Sequence, residues 1–135
     1  MTNGSPKPSA EQFKTLNTSK YRGQFGRRGE AAAAVFFQQH GFTILARNWR
    51  CRMGEIDLIV EKNKEIRFVE VKTRRTHAYG YPEDAVTPTK LKHLNAAMEL
   101  WLRSQFLRPV KYQVDVLAIT CLADGKVRFH WLEGV

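Results

Sequence analysis

Two short segments of this chain carry carboxylates and a lysine at spacings suited to catalysis. Gly54-Glu55-Ile56-Asp57-Leu58-Ile59 is answered by Phe68-Val69-Glu70-Val71-Lys72. In both, apolar and polar residues alternate as on strands with one dressed face. Alternation sets Glu55 and Asp57 on one side of the first segment. It sets Glu70 and Lys72 on one side of the second, with Val69 and Val71 turned into a core. The linker Glu61-Lys62-Asn63-Lys64-Glu65 is short and polar, and Asn63 tolerates a positive φ, so a hairpin is predicted. With Asn63-Lys64 as its turn, Asp57 falls opposite Glu70 and Glu55 opposite Lys72. Directly opposed like charges are destabilising. A cation between them is the natural remedy, and a divalent metal is the obvious candidate. A lysine beside that metal could orient or deprotonate a nucleophilic water.

The elements that must position these groups are readable around them. Residues from Phe25 to His40, with Glu30 and the run Ala31 to Ala34, predict a helix stopped by Gly41. Ala32, Val35, Phe36 and Gln39 share one of its faces, and Glu30 lies near its positive end. Phe42 to Cys51 predicts the first strand, and the hairpin over 55–61 and 66–73 follows. Thr87 and Pro88 open a second helix running to about Phe106, with Leu91, Leu94, Ala97, Met98 and Trp101 as its apolar stripe. Tyr112 to Thr120 and Val127 to Leu132 predict two last strands joined by Ala123-Asp124-Gly125-Lys126. The order is α-β-β-β-α-β-β, an α/β fold with one central mixed sheet flanked by two helices.

With 135 residues, 43% of them hydrophobic and 26% charged, the chain supports one ordinary domain without disulfides. Cys51 and Cys121 have no ligand spacing with each other and read as reduced thiols. No apolar run approaches the ~20 residues that span a bilayer, and the N-terminal segment lacks the apolar stretch of a secretory signal. A cytoplasmic location is the expectation. The formal charge is +9, of which residues 1–28 hold +5. That excess suits a polyanionic partner, nucleic acid before an anionic membrane. Residues 1–20, rich in Pro, Ser, Thr and Lys, are expected to form a mobile basic arm ahead of a domain over 21–135.

The set Glu30, Asp57, Glu70-Val71-Lys72 resembles the PD-(D/E)XK nuclease superfamily, with Ile56 where the signature has proline. The segments Gly29-Glu30, Arg47-Asn48-Trp49-Arg50, Gly54 to Ile59, Phe68 to Arg74 and Val114-Asp115-Val116 look like the YraN family of predicted bacterial endonucleases, which is similar to archaeal Holliday-junction resolvases. The resemblance covers residues 22–120. It implies a restriction-endonuclease-like core in which Asp57, Glu70 and the carbonyl of Val71 bind Mg²⁺ or Mn²⁺. Lys72 would position the attacking water and stabilise charge on the phosphate, and Glu30 would reach in as an outer ligand. DNA is the implied substrate, with branched or structured DNA suggested by analogy, and a resolvase making two symmetric cuts would be a homodimer.

Structural readings stand beside these. Glu70 and Lys72 taken singly read as a solvated strand face, and Asp57 as a strand-end brace. Glu55 suits an ion pair with Lys72 or Arg50 better than metal ligation. Asp115 suits a buried hydrogen-bond anchor, and the histidines and tryptophans suit packing. The long basic loop over 74–87 offers Arg74, Arg75 and Tyr79 to nucleic acid, and Arg27, Arg28 and Lys90 join them as candidate phosphate contacts. A nucleic-acid-binding module without turnover and a protein adaptor are the competing functions.

Overall fold

The structure is a computed structural model that describes residues 25–75, 87–105 and 111–135, with the side chains of 25–28 excepted. Seven elements follow in the expected order: α1 (Phe25–Gln39), β1 (Thr43–Cys51), β2 (Gly54–Lys62), β3 (Glu65–Arg74), α2 (Pro88–Arg103), β4 (Lys111–Cys121) and β5 (Val127–Leu132). The expected arm over 1–20 and most of the loop over 74–87 lie outside the described residues.

The five strands form one sheet in sequence order. All neighbours are antiparallel except β3 and β4, which are parallel and joined through α2. A parallel pair needs such a crossover, and a helix is the usual one. The β2–β3 turn is the expected one, with Asn63 at φ 54° and Lys64 at φ 65°, the signs a type I′ hairpin requires.

Each face of the sheet carries one helix and one core. On one face Leu58, Val60, Val69, Leu117 and Ile119 pack under Ala33, Phe36 and Phe37 of α1. On the other, Ile56, Ile59, Phe68 and Val114 pack under Leu94, Ala97, Met98 and Trp101 of α2. The buried side of α1 differs from the expected stripe, since Val35 is 42% exposed and Gln39 is exposed as well. Two successive phenylalanines can both be buried only if the buried arc is centred between them. That centring selects Ala33, Phe36, Phe37 and His40 and turns Val35 outward. α2 ends at Arg103, short of Phe106, because the Ser104 hydroxyl donates to Trp101 O (2.6 Å) and closes the last turn. Trp101 is core, edge-on to Phe68, and Trp131 packs against Phe36, Phe37 and Phe42.

Asp115 is the buried anchor that its apolar neighbours suggested. Fully buried in β4, its carboxylate accepts from Arg67 Nη1 (2.8 Å), Trp131 Nε1 (2.9 Å), Gln113 Nε2 (2.8 Å) and Gly134 N (2.9 Å). Four donors satisfy a charge that burial would otherwise penalise. Asp115→Ala would leave Arg67 with Glu133 at 2.9 Å and Glu65 at 4.0 Å as its remaining carboxylates. The expected loss is about 3 kcal/mol, read as a lower urea midpoint with unchanged slope.

Candidate functional site

The site forms where two strands part. β2 and β3 pair from Lys62↔Glu65 to Leu58↔Val69, in the expected register, and the pairing ends one residue short of Asp57 and Glu70. Beyond that point the Asp57 carboxylate takes over from the backbone, accepting Val71 N–H at 2.8 Å. Strand alternation also breaks here. Leu58 packs toward α1, whereas Ile56 packs toward α2. Across the β1–β2 pair, Arg47↔Leu58 and Trp49↔Ile56 bracket Asn48, which takes φ 50°. A left-handed residue in a strand bends it and re-aims its neighbours. Simple alternation of Glu55 and Asp57 therefore does not hold through this segment.

β3 keeps its alternation. Val69 and Val71 belong to the α1-side core, as expected, and Phe68 to the α2 side. Glu70 and Lys72 share the Phe68 side. Glu70 is buried at 7% exposure and forms an ion pair with Lys90 Nζ of α2. Lys72 is exposed, with no ion-pair partner among the described residues. Glu55 pairs with Arg50 at 3.4 Å, one of the two partners expected for it.

Glu30 enters from the opposite face. Gly29 beside it is buried against Thr73 of β3, and a Cβ there would lie well inside contact distance of Thr73 Cγ2. Glycine in a helix is unfavourable by itself. Here it lets α1 sit close enough for Glu30 to feel the charges of Glu55 and Glu70. Burial first, then Glu55, raises the Glu30 carboxyl above its ordinary range, against a hydrogen bond with Asn48 that lowers it. Asp57 is affected most. Burial, then the charge of Glu70, pushes it up to about 7, opposed by the Val71 N–H and reinforced by Glu30 and Glu55. Glu30, Glu55, Asp57 and Glu70 thus lie within electrostatic range of one another around the point where β2 and β3 diverge, with Lys90 supplying a cation to Glu70. The cluster lies at the carboxyl end of β3 in the parallel β3/β4 pair, the end at which open α/β sheets bind ligands.

The profile of the uncharacterised protein family UPF0102 matches residues 29–119. This chain belongs to that family. It is the family whose motifs the sequence resembles under the name YraN. A UPF0102 protein of Bifidobacterium longum is 46% identical over 113 residues, 82% of this chain and 90% of the relative. One from Geobacter sulfurreducens is 44% identical over 78% of this chain and 82% of its own length. One from Leifsonia xyli is 38% identical over 83% and 95%. Among solved structures, Pyrococcus furiosus SfsA in complex with Ca²⁺ aligns at 14% identity with a TM-score of 0.38, over 86% of this chain and 64% of that one. So distant a likeness says nothing about activity.

In this UPF0102 chain the structure joins Glu70 to Lys90 and Asp57 to the Val71 N–H, sets Glu30 within electrostatic range of both carboxylates, and leaves Lys72 following on the Glu70 side. Arg74 and Arg75 continue from the end of β3. The side chains of Arg27 and Arg28 lie outside the described residues, as does Tyr79. Among the described residues, no three Asp, Glu, His or Cys side chains converge as a ready metal cluster. No helix of the described residues is long and apolar enough to cross a membrane. Cys51 and Cys121 are both free thiols. Sequence reasoning did not single out Asn48, whose side chain holds Glu30. Its signal was an asparagine, a poor strand former, inside a strand pattern. Nor did it select Arg52, exposed on the turn that feeds Gly54 and Glu55. The signal there was a basic turn next to the acidic segment.

Gly29→Ala is expected to destabilise by about 1–3 kcal/mol through overpacking. Adding Thr73→Ser, which removes the obstructing methyl, should recover most of the loss in urea denaturation. The Asp57 carboxyl, raised to about 7 in the folded chain, titrates near 3.9 unfolded. Between those values the unfolded chain has released a proton that the folded chain retains. Stability from this group therefore falls as pH rises from about 4 to about 7. Metal-free Asp57→Asn should match the parent at pH 4 and exceed it at pH 8 by about 4 kcal/mol, measured by denaturation in EDTA.

Proposed function

We propose that this protein is a metal-dependent endonuclease that hydrolyses phosphodiester bonds in DNA, with branched or structured DNA as the substrate suggested by family analogy. The observation that carries this reading is the carboxylate pair Asp57 and Glu70, held where β2 and β3 part with Asp57 pushed up to about 7. Of these two carboxylates, Glu70 has a cation partner in Lys90, whereas Asp57 has only a peptide N–H among the described residues.

The donor set fits a hard divalent cation. Asp57 and Glu70 supply carboxylate oxygens, the Val71 carbonyl is the backbone oxygen that follows Glu70 on β3, and Mg²⁺ or Mn²⁺ favours few protein ligands with water and phosphate oxygens completing its shell. When bound, such an ion polarises a phosphoryl oxygen and lowers the pKa of water. Lys72, exposed on the Glu70 side of β3, orients the water and places positive charge where it builds on the phosphate. Glu30, whose side chain interacts with Asn48, would hold such a water from the α1 side. Arg52, Arg74 and Arg75, on turns and strand ends at this edge of the sheet, neutralise flanking backbone phosphates. The positive N-terminal ends of both helices lie at this same end of the sheet and favour a polyanion.

A second reading, a nucleic-acid-binding module without turnover, draws support from the Glu70–Lys90 pair, which neutralises one carboxylate without any metal. A strand-nicking assay on duplex, flapped and four-way DNA with Mg²⁺ or Mn²⁺ separates the two. Asp57→Ala and Glu70→Ala are each expected to cut at least ~100-fold more slowly. Both should bind DNA as well as the parent or better, having lost negative charge. A double variant that cleaves at the parental rate would overturn the site, and binding without cleavage on every substrate would favour the module.

A further inference from the structure

Lys90 is the residue whose placement the proposed chemistry does not yet use. The Thr87 hydroxyl accepts its backbone N–H at 3.1 Å, and Pro88 opens the helix, so the first turn of α2 is fixed over the α2 face of β3. From there Lys90 Nζ reaches Glu70 and forms the ion pair described above. The two ends of this pair differ in environment: the Glu70 side chain is 10% exposed and that of Lys90 37%. A long, partly exposed ammonium can swing into water at little cost, whereas the buried carboxylate cannot follow it. The carboxylate is therefore the fixed half of the pair and the ammonium the exchangeable half.

We infer that Lys90 is a resident counter-cation that the metal displaces, and that the released ammonium then serves as a contact for substrate phosphate. This rests on the reading of Asp57 and Glu70 as a cation site. In the metal-free protein Lys90 neutralises Glu70, which eases the repulsion between Glu70 and Asp57. A divalent ion competes for the same carboxylate oxygens and carries twice the charge. Once displaced, Lys90 retains its anchorage at the start of α2, on the same side of β3 as Lys72. It becomes a second positive group facing the DNA backbone, available only when the metal is in place. Metal loading and substrate binding are thereby coupled through one side chain, and by linkage the coupling acts in both directions.

The test is calorimetric titration of Mn²⁺ into the parent, Lys90→Gln, Lys90→Arg and Asp57→Asn, paired with binding of a phosphorothioate DNA duplex with and without Mn²⁺. Glutamine keeps the helix propensity and most of the length but not the charge. Lys90→Gln is expected to bind Mn²⁺ about 5-fold more tightly, because its competitor is gone, while Lys90→Arg stays near the parent. Lys90→Gln should bind DNA as the parent does without Mn²⁺, and about 3-fold more weakly with it. Unchanged Mn²⁺ affinity in Lys90→Gln, with binding lost in Asp57→Asn, would overturn the displacement and leave the metal site standing. A DNA defect equal with and without Mn²⁺ would overturn the release. No Mn²⁺ binding by any of the four, with or without DNA, would overturn both this inference and the metal reading beneath it.

Discussion

The hydrogen bond from Val71 N–H to the Asp57 carboxylate is the contact on which the site depends. Backbone pairing between β2 and β3 stops at Leu58↔Val69, and a peptide N–H left buried there would cost free energy. Asp57 satisfies it from a side chain rather than from the ladder. The strands can then diverge without an unpaired donor, and the carboxylate is fixed beside Glu70. Across the pair, Asn48 of β1 takes a left-handed φ of 50° beside this point. One local departure from regular sheet thus sets the position of Asp57, the company of Glu70 and the partner of Glu30.

Two acids of the sheet, one enclosed and one half-buried, contrast in how their charge is met. Asp115 is fully enclosed and accepts four hydrogen bonds, one from a guanidinium. Asp57 receives one peptide N–H and faces other carboxylates. The first arrangement resolves its charge within the fold and contributes to stability. The second leaves charge unresolved, which destabilises the isolated chain. Proteins keep such groups where a ligand or substrate compensates them. Both acids lie on strands flanked by apolar residues, so the difference comes from what each one meets across the sheet.

Much of this was legible in the sequence, and the reasons differ by element. The β2–β3 hairpin could be registered because Asn63-Lys64 is a local turn signal and a two-residue loop fixes pairing. α2 announced its start through Thr87-Pro88, whereas its end depended on a hydroxyl bond from Ser104 that composition does not reveal. The buried face of α1 was misassigned at Val35 and Gln39, because a run of alanines says little about direction and the two phenylalanines decide it. The carboxylate set is proposed from its order along the chain. The break in alternation at Asp57, the Glu70–Lys90 pair and the support of Glu30 by Asn48 were not readable. Each depends on contacts between segments far apart in sequence, and period-two reasoning assumes that a strand stays regular.

Glu30 stands on the helix covering one face of the sheet and Lys90 on the helix covering the other. The strands between them contribute the remaining groups at a single edge. A chain with only one layer docked would hold at most half of this constellation, however well that layer were formed. Assembly of the site is therefore a report on completion of the whole domain. Whatever chemistry these groups carry out, it would begin only once both halves of the architecture had closed.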